Sequence, residues 1–194
     1  LVWLVDGAPI DSDPARRESY DWAAGEGRFL DTPAILLDNQ TRASQPGIRV
    51  YRVFQPAVES APLLVELGWL PLPGDRRMPS VALPSGALAV SGLLVAPPSA
   101  GIATPVATPQ ADGNLLMIGL DHAVLSAALD MPTLAPRVLK LDPALPLGYT
   151  RDLDILPNTL PPERHLGYAV QWFGLALAVF ITALLLTLRT RRQR

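Results

Sequence analysis

The sequence predicts an α+β membrane protein: an extracytoplasmic antiparallel β domain of about six strands with one short helix, then a C-terminal transmembrane helix. Three observations predict it. Tyr168 to Leu188 is a run of 21 residues without a formal charge, and at about 1.5 Å per residue it crosses a hydrocarbon core. The rest of the chain is a series of short apolar segments cut by proline and glycine, of which there are 21 and 14. That composition favours strands and loops over long helices. Finally, all 18 acidic residues lie at or before Glu163, whereas Arg189, Arg191, Arg192 and Arg194 follow the apolar run.

That charge asymmetry orients the chain. Arginines directly after a span stay in the cytoplasm, which leaves residues 1–162 outside as the β-rich domain. Residues 163–188 then form the span with its interfacial start, and 189–194 a basic cytoplasmic tail. Tyr168 and Trp172 crowd the outer end of the span, as an interfacial aromatic belt does. An exported domain needs an export signal, and the chain opens at Leu1 with no basic-then-apolar leader. An N-terminal span is therefore expected to be missing from this chain. Leu1–Val5 reads as the end of such a span or as a strand.

The acidic body excludes an ordinary nucleic-acid binder, which carries its basic patch on the folded domain. The chain has no cysteine, so disulfides, thiolate catalysis and thiolate metal sites are all excluded. Copper delivery loses its soft ligands by the same observation.

In chain order, strands are expected at Ala34–Asp38, Ile48–Phe54, Leu63–Leu70, Leu88–Val95, Leu115–Leu120 and Arg137–Leu141. In the second of these Arg49, Tyr51 and Val53 point one way, and Ile48, Val50, Arg52 and Phe54 the other. Asp38, Asn39 and Arg42 read as a turn between strands, stabilised by Asx chemistry. Pro97 to Gly113 reads as a long loop, mobile or laid over a partner. Asp121 to Leu129 is the one soluble helix, with Asp121 as N-cap. His122 stands beside that cap with no second histidine nearby, so it reads as a solvated first-turn residue and not as a metal ligand.

Several segments carry a family resemblance, in colinear order from Gly27 to the C-terminus. They are GRF (Gly27–Phe29), LLDNQTRASQPG (Leu36–Gly47), LLVELGWLPLP (Leu63–Pro73), VSGLL (Val90–Leu94), LPN (Leu156–Asn158) and HLGYAVQWFGLALA (His165–Ala178). Together they resemble the surfeit locus protein 1 family of cytochrome c oxidase assembly factors, as a bacterial member. The departures are Glu66-Leu67 where the family has Asn-Arg before Gly-Trp, and the lengthened join PNTLPPERH ahead of the span.

The resemblance implies a non-enzymatic factor of the bacterial inner membrane, with its main domain in the periplasm. It would bind heme a and assist insertion into the oxidase core subunit, working beside other assembly factors. His165 is then the heme a ligand, with Tyr168 and Trp172 packing on the macrocycle and Arg164 near its carboxylates. Sequence context alone also allows His165 to be an interfacial residue that caps the helix or meets lipid head groups. Gly174, Ala178 and Thr182 recur every four residues, a small-residue ridge suited to a partner helix but also common in an alanine-rich span. The alternative function is a factor or accessory subunit that docks on the oxidase and stabilises it without touching heme. No G-x-S-x-G stretch occurs, which argues against a hydrolase.

Overall fold

The segment Gln45–Pro56 carries apolar side chains on both of its faces, and Ile48, Val50, Tyr51, Val53 and Phe54 are all buried. Such a strand needs cover on two sides, and the fold supplies it with a barrel interior and an outer layer. This is seen in a computed structural model that describes residues 2–3, 20–57, 60–98, 104–153 and 162–192. The chain divides into two compact units, Leu1–Ile155 and Leu156–Arg194.

The described strands of the first unit are β1 (Val2–Trp3), β2 (Asp21–Phe29), β3 (Ile35–Arg42), β4 (Gln45–Pro56) and β5 (Leu63–Pro71), then β6 (Leu88–Val95), β7 (Thr108–Pro109), β8 (Leu115–Met117) and β9 (Val138–Leu141). Helix α1 (His122–Ala128) lies between β8 and β9. Five strands close on themselves in the order β2-β6-β9-β5-β4 and back to β2. Counting only these five along the chain, the order is 1-2-3-5-4-1, the connectivity of an OB-fold barrel. Strand β4 makes the closure. It runs along β5 from Gly47 to Phe54, while its other edge pairs first with β3 and then, from Phe54 to Pro56, with β2.

Inward positions of all five strands form one apolar cluster, including Ala23, Val50, Phe54, Val65, Leu94 and Leu139. Phe29 and Phe54 meet edge to face at 5.1 Å across the β2–β4 seam, an arrangement worth about 0.5–1.5 kcal/mol beyond burial. A second cluster lies outside the barrel. There Tyr51, Val53, Leu64 and Val138 are covered by Leu115 and Met117 of β8 and by Leu125 and Leu129 on and just after α1. Asp121 caps α1, accepting from the Val124 N–H at 3.0 Å, as the sequence led us to expect.

Several expectations are corrected. The domain is not six antiparallel strands: nine are described, and β1–β2, β3–β8 and β5–β9 pair in parallel. Parallel pairs require long crossovers, which no local pattern announces. The expected turn at Asp38–Arg42 is strand, with a register shift between Leu37 and Gln40 where Asn39 has φ 57°. The reversal comes at Ala43–Ser44, φ 48° and 63°, the left-handed geometry that matches hairpin twist. The loop expected over Pro97–Gly113 contains β7, paired with β8. His122 is not merely solvated, since its Nε2 bonds the Leu134 carbonyl. Leu115–Leu120 is strand only as far as Met117.

The second unit is α2 (Pro162–Arg192), 31 residues of continuous helix. Within it Leu166–Arg191 is long and apolar enough to cross a membrane by length and composition. Thr182, Thr187 and Thr190 each donate a hydroxyl to the carbonyl four residues back at 2.8 Å, so none carries an unsatisfied donor into the apolar run.

A substitution at Gly92 tests the barrel packing. A Cβ there would stand 2.0 Å from the Lys140 carbonyl oxygen, whereas one at Gly74 meets nothing within 4 Å. Gly92→Ala should cost about 1–3 kcal/mol and Gly74→Ala less than about 0.5 kcal/mol, read as thermal unfolding of the detergent-solubilised protein.

Candidate functional site

The residues expected to act lie at the start of α2. The helix begins at Pro162, so the backbone of Arg164 and His165 is helical and continuous with the apolar run. Their side chains lie outside the described residues. Three and seven residues after His165 come Tyr168 and Trp172, and helical spacing puts all three on one stripe. Tyr168 is 54% exposed and Trp172 70% exposed, so both rings are open for contact. Gly174, Ala178 and Thr182 form a second stripe on a different side of the same helix. A Cβ at Gly174 would meet nothing, and the Thr182 hydroxyl is bonded back to Ala178 within the stripe. LPN at 156–158 lies outside the described residues.

On the barrel, the structure brings together two segments that carry the resemblance. The indole of Trp69 lies against Gly47, where an added Cβ would meet the ring at 2.4 Å. Its Nε1 donates to the Gln40 carbonyl at 3.4 Å. Glycine at 47 is thus a packing requirement of the tryptophan on the neighbouring strand. Asp38 accepts its own neighbour's N–H from Asn39 at 2.7 Å and pairs with Arg76 at 3.0 Å.

The same sheet carries a buried polar group that the strand pattern half revealed. Arg49 and Tyr51 were expected on one face, and both reach Glu66 of β5: Arg49 Nη1 at 3.1 Å and the Tyr51 hydroxyl at 3.1 Å. Nothing in the sequence of β5 marked Glu66 as buried, since its burial depends on the partner strand. Leu67, which stands where the family usually has arginine, is 1% exposed in the barrel interior. The Tyr51 hydroxyl is held well above its ordinary pKa, first by burial and then by the negative charge of Glu66, with Arg49 opposing. Burial pulls Arg49 down, but Glu66, Tyr51 and Asp152 outweigh it and leave the guanidinium raised. The group is a cross-strand tie in which Arg49 and Tyr51 both donate to Glu66. Among the described residues no group of three or more His, Asp or Glu side chains could hold a metal ion.

A model of the SURF1 family matches residues 4–177, which takes in the barrel and the first half of α2. The chain belongs to the SURF1 family. Its members are cytochrome c oxidase assembly factors, and an assembly factor associated with the membrane through α2 agrees with both units described here. No curated protein and no solved structure gives a match.

The buried phenol makes a pH prediction. The folded protein holds the Tyr51 proton more tightly than the unfolded chain, so its stabilisation is intact below the unfolded value of about 10 and is lost as pH rises through the folded one. Stability should therefore fall above about pH 10. Tyr51→Phe should flatten that alkaline limb while costing about 1–2 kcal/mol at neutral pH, because Glu66 loses a donor. Thermal unfolding across the alkaline range checks both.

Proposed function

We propose that this SURF1-family protein binds heme a at the outer surface of the bilayer through His165 and helps to insert it into the core subunit of cytochrome c oxidase. The observation that supports the reading is one continuous helix that carries His165, Tyr168 and Trp172 on a single stripe at the start of an apolar run. The donor set suits the cargo: a neutral imidazole is an iron ligand, and exposed tyrosine and tryptophan rings offer flat apolar faces to a macrocycle. Arg164, next to His165, offers a charge for the carboxylates. The arginines after the span, Arg189 and Arg191 among them, support an orientation with that end in the cytoplasm of a bacterial inner membrane and the barrel in the periplasm.

A second reading keeps the location and removes the heme. In it α2 docks on an oxidase subunit or another assembly factor through Gly174, Ala178 and Thr182, and stabilises the complex. It is favoured by the smoothness of that stripe, where glycine leaves open space and the one hydroxyl is already bonded.

An optical spectrum separates the two. Protein purified from cells that make heme a is expected to show a heme a band that disappears in His165→Ala at unchanged barrel stability. A band that survives the substitution would remove His165 as the ligand. No band in either, from protein that still copurifies with oxidase subunits, would leave the docking factor.

A further inference from the structure

We infer that the cavity at the β2–β4 seam of the barrel binds a small organic monocarboxylate with an apolar body, held by Arg28. This goes beyond the proposed function and is independent of it, since every residue involved lies on the barrel unit.

The β2–β6 ladder ends where Gly27 faces Leu88, and the chain ahead of β6 leaves the sheet there, with Gly86 at φ 81°. Where the two segments diverge, a cavity of about 750 Å³ opens beside the end of β2. That volume lies within the range of small-molecule sites. The end of β4 supplies a further wall, including Pro56 and Ala57, and Leu83, Pro84 and Ala87 extend the apolar lining. Charge enters from β2 alone, as Glu26 and Arg28.

Arg28 is the middle residue of the GRF stretch, and its two neighbours have packing tasks. A Cβ on Gly27 would stand 2.7 Å from the Phe54 ring, and Phe29 meets that ring edge to face. Arg28 is exposed and belongs to neither apolar cluster. It also differs from the other described arginines of the barrel unit. Arg42, Arg49, Arg76 and Arg77 each pair with a carboxylate. Arg52, Arg137 and Arg151 hold loop carbonyls or Asp21. Arg28 makes no such bond to a described residue. Gln55 stands opposite it in the ladder, but that side-chain amide donates to the Ser60 carbonyl at 3.0 Å. A planar fork of donors is thus left open at a largely apolar cavity.

The fork selects the ligand. A carboxylate meets a guanidinium in two parallel bonds, and an apolar body behind it covers Leu83, Pro84 and Pro56. Glu26 sets the limit on charge. It lies two residues before Arg28 on the same outward face, about 7 Å away along the strand. At that range its carboxylate repels a second negative charge on the ligand. The site therefore favours a monocarboxylate over a phosphate monoester.

Three probes of one shape test this on the whole protein in nanodiscs: naphthoate, naphthylmethanol and naphthyl phosphate, followed at the amide resonances of Gly27 and Gly86. Naphthoate is expected to shift both saturably while the amides of Gly47 and Gly68 stay in place. The neutral alcohol, and naphthoate on Arg28→Gln, should each bind at least about 10-fold more weakly. Arg28→Lys should fall between, because it keeps the charge and loses the fork. Glu26→Gln should raise the affinity for the phosphate to that for naphthoate or above. Parental resonances of Gly47 and Gly68 in each ligand-free variant show that the barrel is intact. Equal naphthoate binding by the parent and Arg28→Gln would overturn the site. So would equal binding of alcohol and carboxylate by the parent, or shifts that never saturate. A phosphate that already binds the parent as tightly as naphthoate would overturn the selection by Glu26.

Discussion

The fold depends on β4 having three neighbours. Of its 12 residues, Gly47 to Phe54 offer one edge to β5, and the strand shares its other edge between β3 and β2. Without the short contact with β2 the sheet would be open, with unpaired backbone groups on two edges. With it, the hydrogen-bonding ring closes around the interior cluster. The seam is short, and that is where Phe29 and Phe54 meet. Aromatic contact there compensates for a ladder of only three residue pairs.

Closure decides what the barrel can do. OB-type barrels bind ligands on the outer face of their second and third strands, between the loops that flank it. In this chain those strands are β4 and β5, and the two flanking excursions have folded over the face. The first contributes β3, the second contributes β8 and α1, and β3 pairs with β8 in parallel. Leu115, Met117, Leu125 and Leu129 occupy the space above Tyr51, Val53 and Leu64. The remaining part of that face holds Arg49 and Glu66, which satisfy one another. A groove for an oligonucleotide or oligosaccharide is therefore filled by the protein itself, in agreement with the acidic composition of the body. Fold likeness to a binding barrel does not transfer the binding.

How much of this was legible in the sequence depends on whether a segment carries its own signal. Leu88–Val95 was read to the residue because it is apolar, bounded by turn residues and locally self-consistent. The two faces of β4 were read correctly because alternation is intrinsic to a strand. Strand β2 was not read as one, although GRF lies within it. Its inward positions include Ala23, Gly25 and Gly27, small residues that look like a loop until a neighbouring strand is known to approach closely. The hairpin at Ala43–Ser44 was misplaced because neither residue announces a positive φ. Of the candidate site, the helix and the spacing of Tyr168 and Trp172 were legible from hydropathy alone. The role of His165 rests on motif likeness, since one histidine beside a span has no period to read.

A barrel without cysteine needs another way to fasten its parts, and arginine serves that purpose three times. Arg52 donates to the carbonyls of Thr32, Val81 and Ala82, tying β4 to two loops at once. Arg137, fully buried just before β9, reaches Asp21 at the start of β2 at 2.8 Å, across the end of β6 that lies between them. Arg151 donates to the carbonyls of Asp142, Leu145, Leu147 and Tyr149 in the segment that follows β9. A guanidinium suits this work because its five donors are fixed in a plane and stay charged even when burial pulls the pKa down, as it does for Arg52 and Arg151. Unlike a disulfide, such a tie needs no oxidant to form, and it satisfies loop carbonyls that would otherwise be buried without a donor. Arg52, Arg137 and Arg151 thus bond to backbone carbonyls and to Asp21 within the barrel unit. On α2, Tyr168 and Trp172 stand exposed within the first turns of the apolar run.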